Sequence, residues 1–554
     1  MNKHIISAIA AALPLLASAQ TATEAYQLSR YDLRGTARFM SMGGAFGALG
    51  GDLSTLNQNP GGIGVYRKSD IGLTLDINMQ SAKTVSSIET YKDNQTKVSV
   101  PNFGYVGSAY TGSELMPIFN WGFSYGRVAS FNRRYQGSLD MNGSLSNYIA
   151  GYTSGNYQPG ELTSSEENYW DQYHAPWMSI LAYNAFMINP VGNTTQYNGL
   201  WNDNAAAGKL TRGVADYAVE EAGYVDEYEI NLGGNFSDIV YWGIGIGITD
   251  IDYRKSTFYA ENLDWATLPV ISADRNNVTA GPPAQTGNGD SGFDLNSYTH
   301  VSGTGFNFKA GVIFKPINEL RFGLAVHTPT YYNLSQSSYA DARTYYGFAY
   351  NDKTGLYDSD PSILDTGTPI DAFNWKLRTP WRLIASAATV LGSSAIISVD
   401  YEYRPYQSMS AKFDNGDECK DVNGDIRNYY KAANILRIGA EYRLTSNLSL
   451  RAGYAYESTP TGADVRNDRL MVYTSNPFDS GVTPSYTLDN STQYITCGLG
   501  YRYKGFYADA AYVHKARKSE FHPYTGNNGY TADPFTSEIK QNDNSLVFSI
   551  GYRF

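Results

Sequence analysis

Ile71-Gly72-Leu73-Thr74-Leu75-Asp76-Ile77-Asn78-Met79 places an apolar residue at every odd position and a small or polar one at every even position. A strand shows successive side chains to opposite faces, so this stretch has one apolar face and one polar or tiny face. The pattern recurs in Leu320-Arg321-Phe322-Gly323-Leu324-Ala325-Val326 and Leu436-Arg437-Ile438-Gly439-Ala440-Glu441-Tyr442. It recurs again where Trp242, Ile244, Ile246 and Ile248 alternate with Gly243, Gly245, Gly247 and Thr249.

Counted along the chain, such segments number about fourteen. They lie near residues 69–79, 100–110, 119–131, 226–236, 240–256, 303–315, 319–329, 373–391, 393–405, 433–444, 447–457, 490–504, 505–517 and 543–554. Tight connections such as Phe236-Ser237-Asp238, Lys315-Pro316-Ile317-Asn318, Leu391-Gly392-Ser393, Thr445-Ser446-Asn447 and Lys504-Gly505 alternate with long polar ones near 132–225, 257–301, 330–372, 406–432, 458–489 and 518–542. An even strand count, with short turns on one rim and long loops on the other, predicts an all-β, transmembrane antiparallel β-barrel of the porin-like kind. A soluble sandwich also has period-two strands but no need for that alternation of connections.

Composition fits this reading. The 554 residues include 47 Tyr and 54 Gly, and 17% are charged. Tyr suits pleated, half-buried surfaces and membrane interfaces. Glycine inside a strand asks for a reason, such as a bend or a crowded interior. A formal charge of −11 argues against nucleic acid as a partner. Two cysteines cannot build a disulfide framework. Cys497 falls at an outward strand position and Cys419 in a polar loop, so they are not expected to pair.

Lys3 and His4 precede the apolar run Ile5–Leu16, and Ala17-Ser18-Ala19 precedes Gln20. This reads as a signal peptide over residues 1–19 with no lipid-anchoring Cys behind it. The run is too short for a transmembrane helix, which needs about 20 apolar residues. No comparable run follows, so an exported, membrane-embedded chain must cross as a barrel. The expected location is the outer membrane of a Gram-negative bacterium. At the other end Leu546, Phe548, Ile550, Tyr552 and Phe554 share a face. Such an end resembles the terminal strand read by the barrel-assembly machinery, an expected partner alongside the outer-membrane lipids.

Residues 20–66, ahead of the barrel at 67–554, do not alternate. They contain Met42-Gly43-Gly44-Ala45-Phe46-Gly47-Ala48-Leu49-Gly50-Gly51-Asp52-Leu53-Ser54-Thr55 and Asn59-Pro60-Gly61-Gly62. Small residues permit close backbone approach, and Pro60 restricts both itself and Asn59. A phosphate-binding loop would follow a strand and end in Gly-Lys-Ser/Thr, and neither feature is present. A flexible linker would be less apolar. The segment is expected to be a compact hatch plugging the lumen.

The run Gly-Asp-Leu-Ser-Thr followed by Asn-Pro-Gly-Gly just before the first strand resembles the hatch of the FadL/TodX family, outer-membrane transporters of long-chain fatty acids and other hydrophobic compounds. Thr328-Pro329-Thr330, Thr379-Pro380-Trp381-Arg382-Leu383, Ser398-Val399-Asp400-Tyr401-Glu402 and Leu450-Arg451-Ala452-Gly453-Tyr454 extend the resemblance over most of the mature chain. Family members have fourteen strands and a hatch; the family usually has Ala where this chain has Gly61. The resemblance implies passive uptake: capture on the outer loops, a pocket above the hatch, hatch rearrangement and lateral release through a gap associated with a kink in the third strand.

Two sets of residues are candidates for ligand contact. The loop 132–225 holds Trp170, Tyr173, Trp177, Met178, Leu181 and Phe186, which are too apolar for a solvated loop. They form either a capture surface or a local core. By parity Lys309, Arg382, Arg437 and Arg451 point inward, where each could hold a carboxylate ligand or pair with Asp400, Glu402 or Glu441. Arg127 falls on the lipid face by the same parity and is expected to lie near the rim, snorkelling to head groups; the alternative is a bulge. Pro380 also suggests an interrupted ladder.

No nucleophile motif, H-E-x-x-H pattern or Cys/His cluster points to an enzyme, and no cofactor or metal is implied. A hydrophobic small-molecule ligand is the expected partner. A haem-binding or adhesive outer-membrane barrel is the alternative.

Overall fold

The alternating segments form strands that close on themselves. The computed structural model describes residues 21–162, 170, 175–191, 194–268, 284–285, 291–346, 349–351, 356–358, 362–392, 394–466, 484–525 and 531–554; the expected leader and Tyr173 lie outside them. Among the described residues, fourteen strands make an antiparallel barrel. They are β1 (Asp70–Val85), β2 (Thr90–Tyr110), β3 (Ile118–Ser130, resumed as Arg133–Asp140), β4 (Arg212–Phe236), β5 (Val240–Asp264) and β6 (Ser291–Ile317). Next come β7 (Leu320–His327, resumed as Tyr331–Tyr346), β8 (Asp371–Arg378, resumed as Arg382–Leu391), β9 (Ala395–Pro405) and β10 (Ala432–Arg443). The last four are β11 (Leu448–Glu457), β12 (Tyr486–Tyr503), β13 (Phe506–His522) and β14 (Ser537–Arg553). Each pairs with its neighbours in the chain, and β14 returns to β1 from Asp70↔Arg553 to Val85↔Glu538. Closure removes the sheet edge that lipid could not solvate.

The outer wall carries the apolar face. On β5, Ile244, Ile246 and Ile248 are about half exposed, and Phe306, Phe308, Leu324, Ile438 and Phe548 continue the belt. An apolar belt of this extent around a closed barrel is the surface such a barrel turns to lipid.

Several strands run well beyond their expected ends, above the belt. β4 begins at Arg212 and β6 at Ser291, where sequence alternation placed starts near 226 and 303. The reason is an inversion of faces. In the belt, β4 shows Tyr228, Ile230 and Leu232 outward; farther up, Ala215, Tyr217 and Val219 are buried inside and Asp216 and Glu220 face out. β5 and β6 switch likewise, to Ile251, Tyr253 and Tyr259 and to Val301, Leu295 and Phe293. The period stays at two while the solvent changes from lipid to water.

Three layers fill the lumen. At the bottom lies the hatch, with helix α2 (Ala37–Ser41), a helical turn at Thr55–Gln58 and a 3-10 turn at Pro60–Val65, while its first helix, α1 (Ala22–Leu28), reaches the layer above. At mid-height α1 meets α5 (Lys420–Tyr429), where Tyr26 stacks on Tyr430 at 4.9 Å and meets Tyr406 edge-on at 5.0 Å. At the top, α3 (Leu145–Thr153) and α4 (Trp177–Asn184) pack with Tyr217, Tyr259 and Phe521 in one cluster. Neither cysteine is bridged; Cys419 is buried beside α1 and Cys497 is exposed on the outer wall.

Strand glycines answer the question posed by their abundance. A Cβ on Gly243 would overlap the Pro60 carbonyl, one on Gly323 the Gly47 carbonyl, and one on Gly439 the Met42 carbonyl. The wall is thinned where the hatch backbone lies against it.

Candidate functional site: the hatch, an internal cavity and a gap in the wall

The hatch residues singled out in the sequence each have a structural task. Asp52 accepts from Thr36 Oγ1 at 2.7 Å and from the Ser54 N–H at 3.0 Å, while Ser54 Oγ accepts from the Thr36 N–H at 2.7 Å. This ties the N-terminus of α2 to the loop after it. Gly43 and Gly44 turn the chain with φ of 63° and 75°, values that an L side chain resists. Asn59 caps the 3-10 turn by accepting from the Gly61 N–H at 3.0 Å, with Pro60 as its first residue. A Cβ at Gly61 would fall 2.9 Å from the Gly311 carbonyl oxygen, so the departure from the family's usual Ala matches a closer seat against β6.

Polar side chains on the inner wall hold the plug. Asp400 accepts from the N–H groups of Phe46 (3.0 Å) and Gly47 (2.9 Å) and from Gln58 Nε2 (2.9 Å). Arg38 pairs with Glu441 at 3.0 Å, and Asn120 Nδ2 donates to the carbonyls of Ile63 and Tyr66.

Above the plug is a cavity of about 80 Å³ lined by Tyr31, Leu33, Phe39, Arg382, Arg404 and Arg437, with Arg34 and Arg127 on one side. Glu402 is its electrostatic centre. Its carboxylate accepts from Arg382 Nε at 2.7 Å, Arg404 Nη2 at 2.7 Å and Arg437 Nη2 at 2.6 Å. Glu457, 3.4 Å from Arg404, adds a second negative charge. The Tyr31 ring lies between the guanidinium groups of Arg382 and Arg404, at 4.3 and 4.9 Å. Arg437 Nη1 is buried and has no hydrogen-bond partner among the described residues. A buried, unpaired guanidinium donor is costly and therefore a ready site for an anion.

All four expected cations point inward, but they divide. Arg382 and Arg437 reach the cavity. Lys309 is held by Glu227 (2.5 Å) and Glu229 (3.1 Å), and Arg451 by Glu441 (2.6 Å) and Asp509 (2.5 Å); neither lines this cavity. The loop aromatics take the local-core form: Trp170, Trp177, Met178, Leu181 and Phe186 are all buried. Sequence reading missed Tyr31, Leu33 and Phe39, which sit in a segment with no periodicity. It also missed Arg404, although Arg404 shares the inward parity of Asp400 and Glu402.

Beside the cavity the wall is incomplete. β2 pairs with β3 only from Asn102↔Gly126 to Tyr110↔Ile118, β2 residues 90–99 pair with β1 alone, and Val100 and Pro101 fall at a register shift against β1. Pro101 lacks the N–H needed to extend the ladder. On the facing side the register of β3 against β4 slips between Arg127 and Ala129. Arg127 is therefore at a bulge and not snorkelling at the rim: it makes a two-pronged pair with Asp226 at 2.8 and 2.9 Å. Higher up, Tyr91–Ser138 (3.0 Å) and Arg134–Asp93 (3.9 Å) contacts bridge the two strands, which makes the opening a window. A second cavity, lined by Arg34, Asn78, Gln80, Lys97, Arg127 and Asn132, lies at this window and shares Arg34 and Arg127 with the first. The ladder is also broken at Thr328–Thr330 and Thr379–Trp381, as Pro380 suggested, but there Thr379 and Thr330 bond across the break.

Comparison with known proteins agrees with this architecture. A crystal structure of a Pseudomonas aeruginosa FadL homologue is similar over 95% of this chain and 99% of its own, with 14% identity and a TM-score of 0.51. The Pseudomonas putida toluene transporter TodX is matched over 94% of this chain and 99% of its own, at 11% identity and a TM-score of 0.47. No curated protein matches the sequence. The sequence model of the family described as outer membrane protein transport protein (OMPP1/FadL/TodX) matches residues 211–495, just over half of the chain. The chain belongs to the OMPP1/FadL/TodX family of outer-membrane transport proteins.

Proposed function

We propose that the chain takes up an apolar, carboxylate-bearing compound of the long-chain fatty-acid class, passively and with lateral release. The observation that carries this reading is Arg437 Nη1, a buried donor without a partner in a cavity that adjoins the gap between β2 and β3. A carboxylate there would accept from Arg437 while the tail lies along Leu33, Phe39 and Ile435. The present volume is far below the roughly 300–1,000 Å³ of ligand pockets. The hatch segment 31–35 must therefore shift to admit a long chain, which is the rearrangement that joins cavity to window. Sideways exit suits a greasy ligand, which gains little from a water-filled pore. The buried aromatic cluster around α4 closes the lumen above, so capture begins with its loosening.

The direct test is binding and uptake of a labelled long-chain fatty acid, comparing intact protein with a variant lacking residues 20–64. Saturable binding that is lost on deletion supports the reading. Equal, non-saturable uptake by both removes it, and haem capture or adhesion then moves ahead.

A further inference from the structure

Outside the lumen, four lysines meet across four adjacent strands. Lys92 on β2 is directly opposite Lys83 on β1, Lys83 is opposite Lys540 on β14, and Lys540 is opposite Lys518 on β13. All four share the parity of the lipid-facing residues of their strands, Val98, Ile77, Leu546 and Tyr512, and so lie on the outer wall. Like charges directly opposite one another destabilise a sheet. Three such pairs in a row, in a chain of net charge −11, ask for a counter-charge.

The protein supplies little of it. Glu538 lies 3.6 Å from Lys518 and 3.3 Å from Lys540, and Glu520, opposite Glu538, is bonded to Thr536. Lys83 and Lys92 are exposed and make no ion pair among the described residues.

The height of the row is informative. Going up from the apolar row Val98, Ile77, Leu546 and Tyr512, the wall shows Thr96, Met79, Asn544 and His514, then Asn94, Ser81, Asn542 and Ala516, then the lysines. Lys83 is four residues past Met79, about 13 Å along the strand. With the usual tilt near 40°, that is about 10 Å above the edge of the apolar belt. It lies on the rim of long loops, hence on the outer leaflet's side. The sequence of rows matches an anionic lipid from tail to head: apolar wall, hydrogen-bonding Ser and Asn, then cations at phosphate height.

We propose that the outer face of β13, β14, β1 and β2 is a docking site for a phosphorylated glycolipid of the outer leaflet, with Lys83, Lys92, Lys518 and Lys540 holding its phosphates. Lysine is a mobile point charge that serves phosphate without demanding one geometry. The acyl chains lie on Ile77, Leu546 and Tyr512 below. The site borders the window, since Lys92 lies between Tyr91 and Asp93 on β2, but it rests on charge and height on the outer wall and stands whatever the transported compound.

The test is native mass spectrometry of the full chain in detergent, titrated with a bisphosphorylated, multiply acylated diglucosamine lipid or the same lipid without phosphates. The wild type should retain the phosphorylated form at about tenfold lower concentration or better. The quadruple variant Lys83→Gln, Lys92→Gln, Lys518→Gln, Lys540→Gln should lose that preference, the corresponding quadruple Arg variant should keep it, and Glu538→Gln should strengthen it. Heat-modifiable migration confirms that each variant is folded. Equal retention of the two lipids by wild type, or an undiminished preference in the Gln variant, overturns the proposal.

Discussion

Arg127 donates from Nε and Nη2 to the two carboxylate oxygens of Asp226, at 2.8 and 2.9 Å, and immediately beyond that pair β3 slips in register against β4. The pair fixes one side of the window, because the fork of arginine holds its partner in orientation as well as distance. Arg127→Met leaves the Asp226 carboxylate without its counter-charge. With the Arg127 side chain 20% exposed, the expected loss is at the lower end for a buried pair, about 1–3 kcal/mol. Urea unfolding in vesicles measures it; a change near zero would mean the backbone alone sets the bulge.

Gly243→Ala pushes a Cβ into the Pro60 carbonyl. The barrel wall tolerates the methyl group, so the strain falls on the plug. The expected result is a normally folded, heat-modifiable barrel with raised ion conductance in planar bilayers. Unchanged conductance would show that the hatch has slack against β5.

Arg437→Met removes the unpartnered donor while Arg382 and Arg404 still neutralise Glu402. Loss of one charged hydrogen bond is worth about 1.5–3 kcal/mol, or roughly 10–100-fold in affinity. The loss should appear for a fatty acid and not for the matching alcohol. Equal weakening of both ligands would place Arg437 in a structural role.

Burial pushes the Cys419 thiol up to about 12, with Asp421 adding to the effect. In the unfolded chain the thiol ionises first, so this contribution to stability is whole below the ordinary thiol pKa of about 9 and is lost as pH rises toward 12. Thiol titration at pH 8 should find Cys419 slow to react in the native protein and fast once α5 is unfolded. Fast native reaction would mean α5 opens readily.

Much of this was legible in the chain. The Ile71–Met79 alternation located the belt of every strand, because lipid outside and a polar plug inside impose opposite demands on successive residues. The same reasoning stopped short near residue 226 on β4 and residue 303 on β6, where water replaces lipid and the apolar residues move to the inner face. Arg127 keeps the parity of Trp121, Phe123 and Tyr125, but the reading could not see that Asp226, directly opposite on β4, pairs with it where the bulge begins. Lys309 and Arg451 were correctly turned inward, but parity cannot say which inward cation finds a carboxylate. That depends on Glu227, Glu229 and Asp509, contributed by distant strands.

In the proposed uptake, the path leaves the barrel sideways between β2 and β3. Deleting Val128, the extra residue between Arg127 and Ala129, should restore the register of β3 and close the window. The decisive measurement is uptake of a labelled long-chain fatty acid by cells carrying this deletion, alongside equilibrium binding to the purified protein. Binding within about twofold of wild type, with uptake reduced to that of cells lacking the protein, is the result expected. Uptake at the wild-type rate through a barrel with a closed wall would contradict lateral release.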